Sequence, residues 1–225
     1  SRALLASRGF SNITVSGDTR FDRVYEVVRE PQSIPFIEKF SSGQKILIAG
    51  SSWPPDEKVF FPFIRNLPAN WKFIIAPHEV HAERIRSLAE SLSLPVLKFS
   101  EAEESNLKNA RILVIDSIGL LSRLYRYATV AYVGGAFGSG LHNILEPAAF
   151  GVPVIFGPGY GKNPEAGELI GRKGAFPVRT PEEFNSLMAQ FDRDASFLKE
   201  AGEACRTYVF EQKGATRKIL EKIHV

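Results

Sequence analysis

Residues 128–158 read ATVAYVGGAFGSGLHNILEPAAFGVPVIFGP, and this stretch decides the fold. Thr129–Val133 is a short β-branched and aromatic run, the pattern of a buried strand. It ends in Gly134, Gly135, Gly138 and Gly140, with only small residues and Phe137 between them. Leu141–Phe150 has helical character, and Val152–Phe156 is a second buried strand. Strand, glycine loop, helix and strand in that order form a βαβ unit. Its right-handed crossover puts the loop at the carboxyl edge of a parallel sheet. Glycines there let backbone N–H groups approach a ligand, and a helix N-terminus adds unpaired donors and partial positive charge. Asn143 and Glu146, three apart, would share one helical face just inside that mouth. The arrangement suits a phosphate and a hydroxyl-bearing group. The alternative is a tight strand-to-helix turn with Glu146 an ordinary surface carboxylate. The loop is not a G-x-G-x-x-G fingerprint, and no Walker lysine follows it.

Outward from this unit, apolar runs alternate with amphipathic ones. Asn12–Ser16 reads as a strand, and Arg20–Arg29 as a helix behind the Gly17-Asp18-Thr19 turn. Pro31 and Pro35 break that helix, and Ile34–Phe40 makes a further short one. Lys45–Ala49 is a strong buried strand, followed by a polar loop at 50–56 and a helix around Glu57–Leu67. Trp71–Ala76 is the next strand, and Glu79–Leu92 is amphipathic. Pro95–Phe99 is a short strand, Ser100–Asn109 an acidic loop, and Arg111–Asp116 another buried strand. A helix is expected from the Ser117–Gly119 turn to about Tyr127. Beyond Phe156 come a second glycine-rich loop at 157–163, a helix opened by Pro164 and a strand at Ala175–Val178. A helix capped by Thr180–Glu183 and a mostly helical stretch from Asp192 to Ile223 complete the chain. Apolar strands alternating with helices are the signature of an α/β fold with a doubly wound parallel sheet. In such sheets ligands collect at the carboxyl ends of the strands, so loops 50–56, 76–79, 116–119 and 134–143 are expected to surround one site.

Composition narrows the function classes. The 225 residues are 44% hydrophobic and 24% charged, ordinary for a globular protein that buries a sizeable core. No run approaches the length of a membrane span, and no signal peptide is seen. The formal net charge of +3 is spread among acidic neighbours, which argues against nucleic-acid binding. The single cysteine, Cys205, excludes an internal disulfide, fits a reducing compartment and sits in a helical pattern that favours burial. The chain opens on Ser1 and its one methionine is Met188; it reads as part of a longer protein.

Several segments together resemble one family. Gly17-Asp18-Thr19-Arg20-Phe21-Asp22 resembles the TGNxKFD segment of the 3-deoxy-D-manno-octulosonic acid (Kdo) transferases. Ala49–Trp53 stands where that family has an ATSTH-type loop, Ala76-Pro77-His78 where it has PRH, and Asp116–Leu121 where it has DTMGEL. Tyr132–Ala136 followed by Gly140–Glu146 is similar to its FVGGS and GGHNPLE segments. The resemblance implies a Rossmann-like C-terminal half of a two-domain GT-B glycosyltransferase, with residues 1–225 a single donor-binding domain. It further implies CMP-Kdo as donor, a lipid A precursor as acceptor, inversion at the anomeric carbon, and no metal or other cofactor. The catalytic base and the acceptor-docking surface would lie in an N-terminal domain absent from this chain, so no catalytic residue is expected here and the isolated chain should be inactive. The full-length protein would sit peripherally on the cytoplasmic face of the inner membrane, whereas this fragment would be soluble. Pro77 replaces the arginine of PRH and Leu120 the glutamate of DTMGEL, which leaves CMP versus UDP open.

On that resemblance the donor-binding residues are Ser51, Ser52, His78, Gly119, Gly135, Gly138, His142, Asn143, Glu146, Lys162 and Asn163. Glu146 would accept hydrogen bonds from ribose hydroxyls, and Asn143 would reach a phosphate oxygen or the sugar carboxylate. His78 would contact the phosphate, and Gly119 would offer its amide to base or phosphate. Each has a structural alternative: Asn143 as a helix cap, His78 and His142 as packed histidines, the serines as caps, and 162–163 as a mere loop. Two other readings stand beside this one. The chain could be the donor domain of a UDP-sugar GT-B glycosyltransferase or epimerase, or a non-catalytic α/β scaffold or regulatory domain.

Overall fold

The computed structural model describes residues 2–30, 33–92, 94–107 and 109–223. Seven strands form one sheet: β1 (Lys45–Ser52), β2 (Trp71–Pro77), β3 (Leu97–Lys98), β4 (Ile112–Val114), β5 (Val130–Val133), β6 (Val154–Phe156) and β7 (Ala175–Pro177). Their spatial order is β3-β4-β2-β1-β5-β6-β7, and every pairing is parallel. The β-branched runs of the sequence make these strands because both sheet faces are covered, so a strand gains from being apolar on each side. Ile46 and Ile48 of β1, Ile74 of β2, Ala131 and Val133 of β5 and Phe156 of β6 join one buried cluster. Their alternates Leu47, Ala49, Phe73, Ile75, Tyr132 and Ile155 join the other. The period-2 pleat thus feeds two cores from the same residues.

Helices Thr19–Arg29, Pro35–Ser41, Leu145–Ala149 and Pro164–Gly171 supply buried residues to the first core. Helices Pro54–Arg65, Ala82–Leu92 and Pro181–Arg193 supply the second. Thr180 Oγ1 accepts from the Glu183 amide at 3.2 Å and Glu183 Oε2 from the Arg179 amide at 2.6 Å, a reciprocal start for the last of these. Cys205, in helix Ala195–Gln212, is buried with its thiol directed at the Gly174 carbonyl. Burial pushes that thiol up to about 12, so it packs as a small apolar group.

Four expectations are corrected. Asn12–Ser16 is not a strand: it runs outside the sheet, with Val15 62% exposed, and its polar residues have no apolar face to bury. The strand at 45–49 continues to Ser52 through an irregularity between Gly50 and Ser52, where Ser51 takes a φ of 53°. The stretch expected to be helical to Tyr127 is one turn at Leu121–Leu124 and a 3₁₀ turn at Tyr125–Tyr127. The helix expected from Leu141 starts only at Leu145 and ends at Ala149. Pro147 explains the last: it has no N–H to bond the carbonyl four residues back and its ring would strike that carbonyl, so it is tolerated only in a first turn. The break expected at Pro31 lies outside the described residues.

β1 leads to β2 on one side and pairs with β5 on the other, so the strand order reverses between β1 and β5. In open α/β sheets the crevice outside the carboxyl ends at such a reversal is where ligands bind.

Candidate functional site

At that reversal lies a cleft of about 280 Å³, lined among others by Ser51, Gly119, Tyr125, His142, Asn143 and Glu146. Loops far apart in sequence supply these residues. β1 ends in Ser51; the turn before Leu121–Leu124 supplies Gly119, whose φ of 95° suits glycine; the segment after β5 supplies the last three. Asn143 Nδ2 donates to Glu146 Oε1 at 3.2 Å, and Asn143 Oδ1 accepts from the Leu145 amide at 3.1 Å. Asn143 therefore binds the first amide of the short helix from just before its N-cap, Ile144, and orients the carboxylate at once. Glu146 is half-buried, and desolvation raises its carboxyl above the ordinary value, opposed by the Asn143 bond and by Arg23. One Glu146 oxygen is engaged by Asn143, and the carboxylate opens on the cleft as an acceptor for hydroxyl groups.

A buried carboxylate that sequence reasoning missed ties together the elements that carry the cleft. Asp56 is fully buried. It accepts from the Trp53 amide at 2.9 Å, the Tyr132 hydroxyl at 2.9 Å and the Gly135 amide at 2.9 Å. One side chain thus ties helix Pro54–Arg65 to β5 and to the first turn of the glycine loop, and it drives the Tyr132 hydroxyl further from ionisation. Its signal was legible as the third helical residue behind Pro54-Pro55, a first-turn acid, but nothing local names its distant partners.

The glycine loop is closed on itself, which corrects the picture of its amides cradling a phosphate. Gly135 donates to Asp56, Gly138 and Gly140 donate to the Gly135 carbonyl at 3.0 and 2.9 Å, and His142 donates to the Gly134 carbonyl at 3.1 Å. Gly135, at a φ of 97°, has no space for a side chain, because a Cβ there would strike the Gly140 carbonyl oxygen. Gly135 and Gly138 therefore shape the turn with their N–H groups already used. Helix Leu145–Ala149 is also too short to bring a strong dipole to the cleft. Phe137 of the same loop packs in the second core, against Gly157.

Ser52 is corrected as well. It is buried, and its hydroxyl donates to Glu57 Oε1 at 3.0 Å, where Arg84 also binds. Burial raises the Glu57 carboxyl despite Arg84. Ser51 alone of the pair lines the cleft. Lys162 is exposed and Asn163 begins helix Pro164–Gly171 with no side-chain cap bond; neither is among the residues that line the cleft. His78 sits beside the site: its ring stacks on Trp53 at 4.4 Å and on His142 at 4.7 Å. Trp53 Nε1 donates to His142 Nε2 at 3.2 Å. Sequence reasoning gave Trp53, Tyr125 and Ser122 no role, yet the last two line the cleft and Trp53 holds its histidine. Among the described residues no group of three His, Cys, Asp or Glu side chains is placed to hold a metal ion, and no helix is long and apolar enough to cross a membrane.

No protein-family model matches the chain. It is 29% identical over 186 residues, 80% of its length, to a 3-deoxy-D-manno-octulosonic acid transferase of Rickettsia bellii. It spans 44% of the length of that relative. Its fold is similar to the C-terminal CMP-Kdo binding domain of WaaA from Acinetobacter baumannii, with a TM-score of 0.69, 16% identity, and coverage of 86% of this chain and 100% of that one. A UDP-N-acetylglucosamine 2-epimerase shares the fold at a TM-score of 0.61 and 16% identity, over 98% of this chain and 54% of its own. Fold alone therefore does not choose the nucleotide.

Proposed function

For a chain related to the 3-deoxy-D-manno-octulosonic acid transferases and built on the GT-B glycosyltransferase fold, we propose the role of donor-binding domain. The ligand is CMP-Kdo, and the whole enzyme transfers Kdo to a lipid A precursor in lipopolysaccharide synthesis. Residues 1–225 constitute the donor domain, and the acceptor site and catalytic base belong to a further domain. The full-length enzyme works peripherally at the cytoplasmic face of the inner membrane.

One observation carries the reading: Ser51, Gly119 and the His142–Glu146 segment, drawn from three separate connections, line one cleft where the strand order reverses. Within it Glu146 accepts from the ribose hydroxyls and Asn143, already bonded to it, offers its amide to phosphate or sugar carboxylate. The chain's own part in catalysis is positioning. It fixes the nucleotide so that charge growing on the phosphate, as the bond to the sugar breaks, meets oriented donors. Without a base to take the acceptor's proton, the isolated chain binds donor and transfers nothing.

Calorimetric titration with CMP and UDP tests this. CMP should bind and UDP should bind more weakly. Asn143→Ala should weaken CMP about tenfold or more, the scale of one hydrogen bond to a charged group. A clear preference for UDP would move the chain to the UDP-sugar enzymes, and binding of neither would leave a scaffold domain.

A further inference from the structure

The cleft poses an electrostatic problem. The phosphate of a nucleoside-monophosphate sugar such as CMP-Kdo is a diester and carries one negative charge, and Glu146 already opens on the same space. Yet no lysine or arginine is among the described residues that line it. The wall does contain one side chain able to become a cation, His142. Behind it stand His78, with ring centroids 4.7 Å apart and planes 26° apart, and Trp53, stacked on His78 at 4.4 Å.

We propose that binding of a nucleotide phosphodiester here is coupled to uptake of one proton by the stacked pair His78–His142. The proposal rests on the nucleotide-binding reading above and adds to it how the anion's charge is met.

In the free protein the surroundings disfavour a charge on His142. The Trp53 indole N–H points at His142 Nε2, so that nitrogen acts as the acceptor and the ring's proton sits on Nδ1. Protonating Nε2 would set two donors against each other. Desolvation of the half-buried ring and the neighbouring His78 lower its proton affinity, while Asp56 pulls the other way. Asp56 comes from helix Pro54–Arg65 and is engaged with Gly135 and Tyr132. From its own segment His142 has Glu146 in the cleft, and Arg23 of helix Thr19–Arg29 acts on that glutamate. A phosphate against this pair adds an anion that favours the charged form of whichever ring takes the proton. The proton comes from solvent, and no bond other than N–H is made.

The test uses cytidine 5′-(methyl phosphate), a diester with no phosphate titration near neutrality. Calorimetry at one pH near neutrality, in buffers of different ionisation heat, should register uptake of about one proton per ligand. The Kd should rise with pH, approaching about tenfold per unit above the titration of the free pair. Imidazole resonances of the unaltered protein should show one ring titrating at higher pH when saturated. The double variant His78→Gln with His142→Gln should bind without proton uptake. Trp53→Phe, which keeps a stacked ring but removes the donor, should protonate earlier when free and so take up fewer protons. Binding that is independent of pH, or uptake that persists in the double variant, would overturn the coupling while leaving the nucleotide site intact. No binding between about pH 5.5 and 8.5, a range that spans ordinary imidazole titration, would overturn both.

Discussion

Two carboxylates stand at the same edge of the sheet, and they are opposite in character. Asp56 is fully buried and accepts three hydrogen bonds, from helix, strand and loop. Glu146 is half-buried, accepts from Asn143, and is raised by desolvation. The first has its acceptor capacity filled by the protein, and the second keeps capacity facing a cleft. The contrast separates architecture from recognition: one acid is spent on holding helix, strand and loop together, and the other faces the cleft where a ligand can reach it.

The contrast breaks most visibly at Asp56. Asp56→Ala strands the Tyr132 hydroxyl and the amides of Trp53 and Gly135, each costing about 1–3 kcal/mol when buried unpaired. Urea denaturation should therefore show a loss of several kcal/mol, and nucleotide binding should fall with the fold. Next comes Gly135→Ala. A Cβ there collides with the Gly140 carbonyl at a backbone angle that disfavours L side chains, and a loss of about 2–4 kcal/mol in the same assay is expected. A wild-type midpoint would show that the loop can open without cost.

Glu146→Gln sharpens the other side of the comparison. Removing one charge-assisted acceptor should weaken CMP by about ten- to a hundredfold, with stability within about 1 kcal/mol of wild type. The direction of its pH dependence follows from the raised carboxyl. The folded protein holds this proton more tightly than the unfolded chain, so ionised Glu146 opposes folding at neutral pH and the penalty fades as pH falls through the folded value. The glutamine variant should lose that component of the thermal-stability profile. A variant that binds CMP normally but unfolds easily would reverse the roles of the two acids.

Much of this was legible in the sequence. The alternation of apolar runs with amphipathic helices specified the parallel sheet, because strands buried on both faces must be apolar throughout. The clustering of 51, 119 and 142–146 followed from the rule that loops at the carboxyl edge meet. What escaped was long-range pairing. Ser52 and Asp56 read alike as polar loop residues, yet β1 runs on through Ser52, which turns to Glu57, and Asp56 reaches across to β5. The glycine loop invited a phosphate-cradle reading because glycine permits free amides, but the amides of Gly138 and Gly140 bond back within the loop and that of Gly135 bonds Asp56. The helix starts later than its pattern suggests for a local reason, the proline at 147. Asn12–Ser16 showed strand propensity without a neighbour to pair with, which propensity alone cannot reveal.

The central claim is that nucleotide enters the cleft where β1 and β5 part, with its pentose on Glu146. A crystal of this chain soaked in cytidine monophosphate tests it most directly. The account predicts ribose hydroxyls within hydrogen-bond distance of Glu146 and the phosphate beside His142 and Asn143. An empty cleft with the nucleotide bound elsewhere, for instance in the groove between Arg20 and Arg217, would contradict it.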